Sequence, residues 1–314
     1  MTSTKFLLRF FRDKRVNGRA DLPDFFPVWL DIGEALALLD AMPGGGEIEI
    51  KLRHARDALA CVPTALSTND AGAFLVSDVA GLASAATRKI TAAGVALPGS
   101  FIDAVRADPS KGVILIEGRA ATTSPLVAEI WRDGKKIVRM ELPLHVAPVE
   151  DFYRWINLRG VAGGAVARYS RLGVPYGFPD TESNGKHFIF VHGYNVSETS
   201  ARAWNSEMFK RLWQSGSKAM YTAVTWYRND SQAWWWTSRT PNYYVNVEHA
   251  FATAANLAAT VNGSLPGAVK VIAGHSLGNM VISSAIVDHG LNADTYFMLN
   301  AAVAQEAWRN GVVV

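Results

Sequence analysis

A serine set between two glycines, in Gly274-His275-Ser276-Leu277-Gly278, is where this chain could do covalent chemistry. A serine hydroxyl attacks an acyl carbonyl when a base takes its proton and nearby amides receive the charge developing on the oxygen. The flanking residues would present such a hydroxyl. Ala268, Val269, Val271, Ile272 and Ala273 read as a buried strand, and Leu277, Met280, Val281, Ala285 and Ile286 follow at the three- and four-residue spacings of a packed helix. Ser276 is therefore expected on a strand-to-helix turn. Glycine is expected on both sides of it because the turn is tight and only glycine tolerates its backbone angles without a Cβ clash. Upstream, the apolar run Lys186-His187-Phe188-Ile189-Phe190-Val191 leads directly into His192-Gly193-Tyr194-Asn195.

Together these motifs resemble the α/β-hydrolase superfamily of lipase and esterase type, with its G-x-S-x-G nucleophile elbow and an oxyanion loop after an earlier strand. The resemblance covers residues from about 186 to the end. It implies Ser276 as nucleophile and the backbone N–H groups of Tyr194 and Leu277 as the oxyanion hole, with Gly193 letting the substrate carbonyl approach. It implies an acyl-enzyme formed from a lipid or small-molecule ester, with no cofactor and no metal. His192 reads as a histidine that shapes the loop through its own hydrogen bonds, since the base in this family follows the serine. Asn195 either caps the next helix or lines the substrate site.

The elements between the motifs fit. Residues 197–215 carry Ala201, Trp204, Met208, Phe209 and Leu212 at helical spacing, and Ala219 to Trp226 read as a strand. A helix over 245–261, the strand and helix around Ser276, and a strand at Thr295 to Leu299 complete four strands and three helices. Their alternation implies a parallel sheet. Trp226, Tyr227, Trp234, Trp235, Trp236, Tyr243 and Tyr244 crowd the segment after one strand, where ligands bind in this topology. Trp235 and Trp236 read either as an acyl-binding wall or lid, or as packing against the neighbouring domain.

The departure from the family lies in the acid and base. Only 38 residues follow Ser276, and His289 is the one histidine among them. Asp288 and His289 sit about 18 to 20 Å along the helix that the elbow starts, at about 1.5 Å per residue. A base must lie within about 3 Å, so this pair reads as a polar helix end before Gly290. His275 adjoins the nucleophile and points away, His249 lies on a helix, and His54 and His145 belong to an earlier domain. The expectation is an incomplete reading frame with acid and histidine beyond Val314, since 186–314 supplies 129 residues where such domains have ~200 to 250.

The remaining sequence reads as a segment over 1–45, a β-rich domain over 46–157 and a linker over 158–185 containing Gly163-Gly164 and Pro175. Ile48, Ile50 and Leu52 alternate with charged residues, Val113 to Ile116 form an apolar run, and residues 126–144 fold into a hairpin about Asp133-Gly134. A β-sandwich is the economical reading. It resembles the immunoglobulin-like modules that precede enzymes in bacterial surface and secreted proteins, which implies an extracellular or cell-surface setting. Asp13, Asn17, Gly18, Asp21 and Asp24 match a calcium-loop pattern that Arg15 breaks at a ligand position, so a polar turn is the better account.

At 49% hydrophobic and 19% charged, 314 residues suffice for two cores. The net charge of +3 is small and its basic residues scattered, which argues against nucleic-acid binding. No apolar run reaches the ~18 residues of a membrane span, and Phe6 to Phe11 is too short and interrupted for a secretory signal. The single Cys61 excludes an internal disulfide. The competing class is a non-catalytic adhesion or binding protein that uses the hydrolase fold as a scaffold.

Overall fold

The computed structural model describes residues 7–10, 25–64, 66–70, 87–194, 196–227 and 243–303. Contacts divide the chain into two units, residues 1–149 with 210–216, and residues 150–209 with 217–314.

The first unit is mainly antiparallel β. Its elements are β1 (Leu7–Phe10), β2 (Phe25–Trp29), α1 (Gly33–Ala41), β3 (Ile48–His54), β4 (Leu59–Pro63), β5 (Arg88–Ile90), β6 (Val95–Ala96), α2 (Gly99–Ala107), β7 (Val113–Gly118), β8 (Leu126–Arg132), β9 (Lys135–Leu142) and β10 (Leu144–Ala147). One four-stranded sheet runs β2-β7-β4-β5 and another β6-β3-β8-β9, while β1 pairs in parallel with β10. The alternation along β3 turns Ile50 and Leu52 into a core that also takes Ile114 and Ile116 from the other sheet and Leu36, Phe101 and Val105 from the helices. The turn between β8 and β9 has φ of 49° at Asp133 and 70° at Gly134, the paired positive angles of a type I′ hairpin. Cys61 is buried, and burial pushes its thiol up to about 11.

Residues 25–41, read from sequence as part of a separate segment, belong to this core through Phe26, Val28 and Leu36. Pro27 hides β2 from pattern reading because it cannot donate to a ladder, yet β2 is an edge strand, where that loss is tolerated. The calcium-loop pattern at 13–24 lies outside the described residues.

The second unit contains β11 (Arg154–Leu158), β12 (Lys186–Val191), α3 (Glu198–Gln214, whose residues from 210 on count with the first unit), β13 (Met220–Trp226), α4 (Tyr243–Ser264), β14 (Val269–His275), α5 (Gly278–Val287) and β15 (Thr295–Leu299). Its five strands are all parallel, in the order β11-β13-β12-β14-β15. Val224 and Trp226 of β13 face a core with Ala254 and Leu257 of α4 and Val281 and Ile282 of α5. Tyr221, on the opposite face, meets Phe209 of α3 at 5.7 Å between ring centroids. Helices on both faces explain why β13 is buried throughout and reads as an unbroken apolar run.

β11 departs from the expected linker over 158–185 and β-rich domain ending at 157. Arg154 to Leu158 pair in register with Thr222 to Trp226. Arg154 then ties down the following segment, donating to Leu172 O at 2.9 Å and pairing with Asp180 at 2.6 Å. Among the described residues, no helix is long and apolar enough to cross a membrane.

The strand order creates a switch point. From β12 the chain moves through α3 to β13 on one side, and from β14 through α5 to β15 on the other. The carboxyl ends of the adjacent strands β12 and β14 therefore flank a crevice, the usual ligand position of an open parallel sheet.

His187, one strand-length below that crevice, is buried with Nδ1 2.7 Å from Pro266 O and Nε2 2.6 Å from Thr222 Oγ1. Burial holds its pKa down to about 4 against an ordinary 6.5. The unfolded chain therefore binds the extra proton first, and the contribution is complete above about pH 6.5 and lost as pH falls towards 4. Between pH 7 and 5 urea unfolding of the second unit should lose up to about 2 kcal/mol through this residue, and His187→Gln should flatten that loss.

Candidate active site

Ser276 lies between β14 and α5, as the sequence pattern predicts, and its φ is 50°. Among the described residues only Asp133 and Asn300 share a left-handed φ without being glycine. For a serine this conformation costs on the order of 1–2 kcal/mol and must be held by its surroundings. Its amide donates to Leu299 O at 2.9 Å. Its carbonyl accepts from the Asn279 amide at 3.1 Å, the Ala302 amide at 3.2 Å and Asn279 Nδ2 at 2.9 Å. The half-buried side chain makes no hydrogen bond through Oγ to a described residue.

The glycines act through space rather than through backbone angle, which corrects the expectation from sequence: the left-handed φ falls on the serine itself. A Cβ on Gly278 would lie 2.4 Å from His192 O and 2.7 Å from Val191 O. One on Gly274 would lie 2.7 Å from Asn279 Oδ1, and one on Gly193 2.8 Å from Ser276 Cβ. The register pairs Val191 with Gly274, so two residues further on Gly193 stands against Ser276. The two sequence motifs, far apart in the chain, thus meet in backbone contact.

Leu277 and Tyr194 flank this contact. Neither backbone N–H has an acceptor among the described residues. Leu277 precedes the first turn of α5, where the aligned peptide dipoles favour negative charge. Tyr194 also carries a buried hydroxyl without a partner among the described residues, and its ring meets Tyr243 at 5.7 Å. Asn195, Trp235 and Trp236 lie outside the described residues.

The histidines sort by their neighbours. His192 is buried, with Nδ1 2.9 Å from Gly193 O and Nε2 3.1 Å from Thr225 Oγ1, and it stacks on Trp226, whose indole N–H donates to His192 O at 2.8 Å. That is the loop-shaping role read from sequence. His275 turns to the α3 face, 5.5 Å from the Trp204 ring, and its buried Nδ1 has no partner among the described residues. His249 packs on Tyr227 at 5.1 Å, again with an unpartnered Nδ1. Asp288 and His289 are exposed beyond the far end of α5, where Asp288 accepts from Ser284 Oγ at 2.6 Å. Among the described residues no three potential metal ligands cluster.

Two residues that pattern reading passed over join the site. Asn279 is buried and holds the Ser276 carbonyl, and Tyr296 of β15 donates towards Asn279 Oδ1 at 2.9 Å. The available signal was an asparagine in the first turn of an otherwise apolar helix, a residue whose side chain competes for backbone partners. Comparison of the chain with family models, curated proteins and solved structures returned no match.

Two glycines should respond oppositely to alanine in chemical denaturation. Gly278→Ala, which must displace backbone, should destabilise the second unit by about 1–3 kcal/mol, whereas Gly263→Ala, in the last turn of α4 with nothing within 4 Å, should be neutral or stabilising by up to about 1 kcal/mol. Ser276→Gly should raise stability by roughly 1 kcal/mol because glycine adopts the left-handed angle without strain.

Proposed function

We propose that this chain is a serine hydrolase of the α/β-hydrolase type acting on carboxylic esters, with Ser276 as nucleophile and the Tyr194 and Leu277 amides as the oxyanion hole. One observation carries the reading: Ser276 is held in a left-handed turn at the switch point of a parallel sheet, in contact with Gly193, and the N–H groups flanking that contact lack acceptors among the described residues. In the reaction the serine oxygen attacks the ester carbonyl carbon and its proton passes to a base. The carbonyl oxygen gathers charge beside the two amides. Collapse breaks the ester C–O bond, the alcohol leaves with the proton, and water then hydrolyses the acyl-enzyme. The base and its acid are not assigned among the described residues.

The substrate is a lipid or small-molecule ester, and Gly193 gives its carbonyl room beside Ser276. Trp235 and Trp236 are proposed to wall the acyl group. Two antiparallel sheets around one core support the immunoglobulin-like reading of the first unit, from which its suggested extracellular setting follows, although α1 and α2 in that core are additions to such a module. The competing reading, a non-catalytic scaffold, draws on the absence of a hydrogen bond from Ser276 Oγ to any described residue.

A fluorophosphonate probe separates them. Covalent labelling of the folded protein that disappears in Ser276→Ala is the expected result. Absence of labelling from well-folded protein, in this chain and in any longer natural reading frame containing it, would refute the hydrolase and favour the scaffold.

A further inference from the structure

We infer that Asn279 and Tyr296 are positioning residues that lock the left-handed backbone of Ser276, so that the reactivity of the serine depends on an amide and a phenol that never touch substrate. The inference rests on the proposed function only where reactivity is concerned; the backbone claim stands by itself.

Asn279 sits in the first turn of α5, fully buried, and its side chain turns back on the elbow. Nδ2 donates to Ser276 O at 2.9 Å and lies 3.3 Å from Leu299 O. Leu299 O also accepts the Ser276 amide. A single amide group thus spans the carbonyl side of the strained residue and the neighbouring strand. Met280 N donates to Leu277 O at 3.0 Å, so the Ser276 carbonyl lacks the helical i+4 partner and depends on Asn279 and Ala302 instead.

The carbonyls of Ser276 and Leu299 fix which way that amide faces, and Tyr296 serves the amide oxygen. The Tyr296 hydroxyl is 2.9 Å from Asn279 Oδ1, 3.1 Å from Asn279 O and 3.4 Å from Ser283 Oγ, so it can donate to the Asn279 acceptors while Ser283 donates to it. Only one orientation of the amide gives a donor to the two backbone carbonyls and an acceptor to the hydroxyl. The reverse would set oxygen against oxygen in a buried place, at a cost of about 1–3 kcal/mol for the unsatisfied groups. Burial raises the Tyr296 phenol to about 12, which keeps it a donor throughout the neutral range. Gly274 admits the arrangement, because a Cβ there would stand 2.7 Å from Asn279 Oδ1. The first glycine of the motif is therefore the space that the clamp occupies.

The test follows Ser276 in the full chain by fluorophosphonate labelling rate, by melting temperature, and by carbon NMR of selectively labelled serine, with the Ser276 signal assigned through Ser276→Ala. Asn279→Ala should move that signal from left-handed to ordinary shifts and slow labelling about tenfold or more, equivalent to about 1.4 kcal/mol in the barrier. Asn279→Asp, similar in shape but with an acceptor facing the carbonyls, should slow labelling at least as much at neutral pH. Tyr296→Phe, which keeps the ring and is the variant to rely on if Asn279→Ala fails to fold, should slow it severalfold with a signal averaged between the two conformations. Unchanged serine shifts with labelling within twofold in Tyr296→Phe and Asn279→Asp would overturn the clamp. If wild type does not label, the hydrolase reading fails, and the serine shifts alone decide whether the clamp exists.

Discussion

The second unit depends on one close approach, the contact of the loop after β12 with the turn after β14. Adjacent parallel strands run in register up to Val191 and Gly274, and the backbones stay in contact two residues beyond the sheet, where Gly193 meets Ser276 and Gly278 meets the carbonyls of Val191 and His192. A side chain at Gly193, Gly274 or Gly278 would wedge this junction open. Because none is present, the chain can reverse from strand to helix within three residues while an amide on each loop is left beside the reversal. The left-handed φ of Ser276 follows from the tightness of that reversal.

Topology supplies the rest. Only at the point where successive connections leave on opposite sides do two neighbouring strands end without a loop crossing over them. α5 begins there, while α4 packs against the same core with a small-residue surface of Ala250, Ala254 and Ala258. The strain stored at the turn is balanced by hydrogen bonds from three separate places: β15 through Leu299, the chain after it through Ala302, and α5 through Asn279. The position of Ser276 is thus a property of β14, α5 and β15 together rather than of five consecutive residues.

Periodicity made much of this legible. The strands and helices from 186 onward carry long apolar runs or three- and four-residue spacings, because each is buried on a sheet face or a helix stripe, and their observed ends fall within three residues of those read from sequence. β11 and β2 were not legible, one being short with buried charge at Arg154 and the other carrying Pro27, since both owe their pairing to partners distant in the chain. At the candidate site, the strand-to-helix turn at Ser276 could be read from spacing, while Gly193, Tyr194 and Leu277 entered only through the resemblance. The Asn279–Tyr296 pair could not, because an asparagine in a helix and a tyrosine in a strand become partners only when β15 takes its place beside β14. The role of the glycines was misattributed for a related reason: sequence shows that a residue lacks Cβ, while only the packed structure shows whether angle or space requires it.

The packing around Ser276 restricts the source of any base. His275, the last residue of β14, packs its ring against Trp204 with Nδ1 close to Gly193. His192, across the junction, has both ring nitrogens committed to Gly193 O and Thr225 Oγ1, and releasing either would loosen the loop that carries Tyr194. His187 is committed likewise, a strand-length below. On the proposed hydrolase reading, a general base would therefore reach Ser276 from the open rim of the crevice, the side on which its hydroxyl has no described partner. A scaffold gains nothing from keeping a serine in a conformation that glycine adopts without strain. Under the proposed hydrolase reading, the retained hydroxyl and the neighbouring amides that lack described acceptors would serve chemistry at that rim.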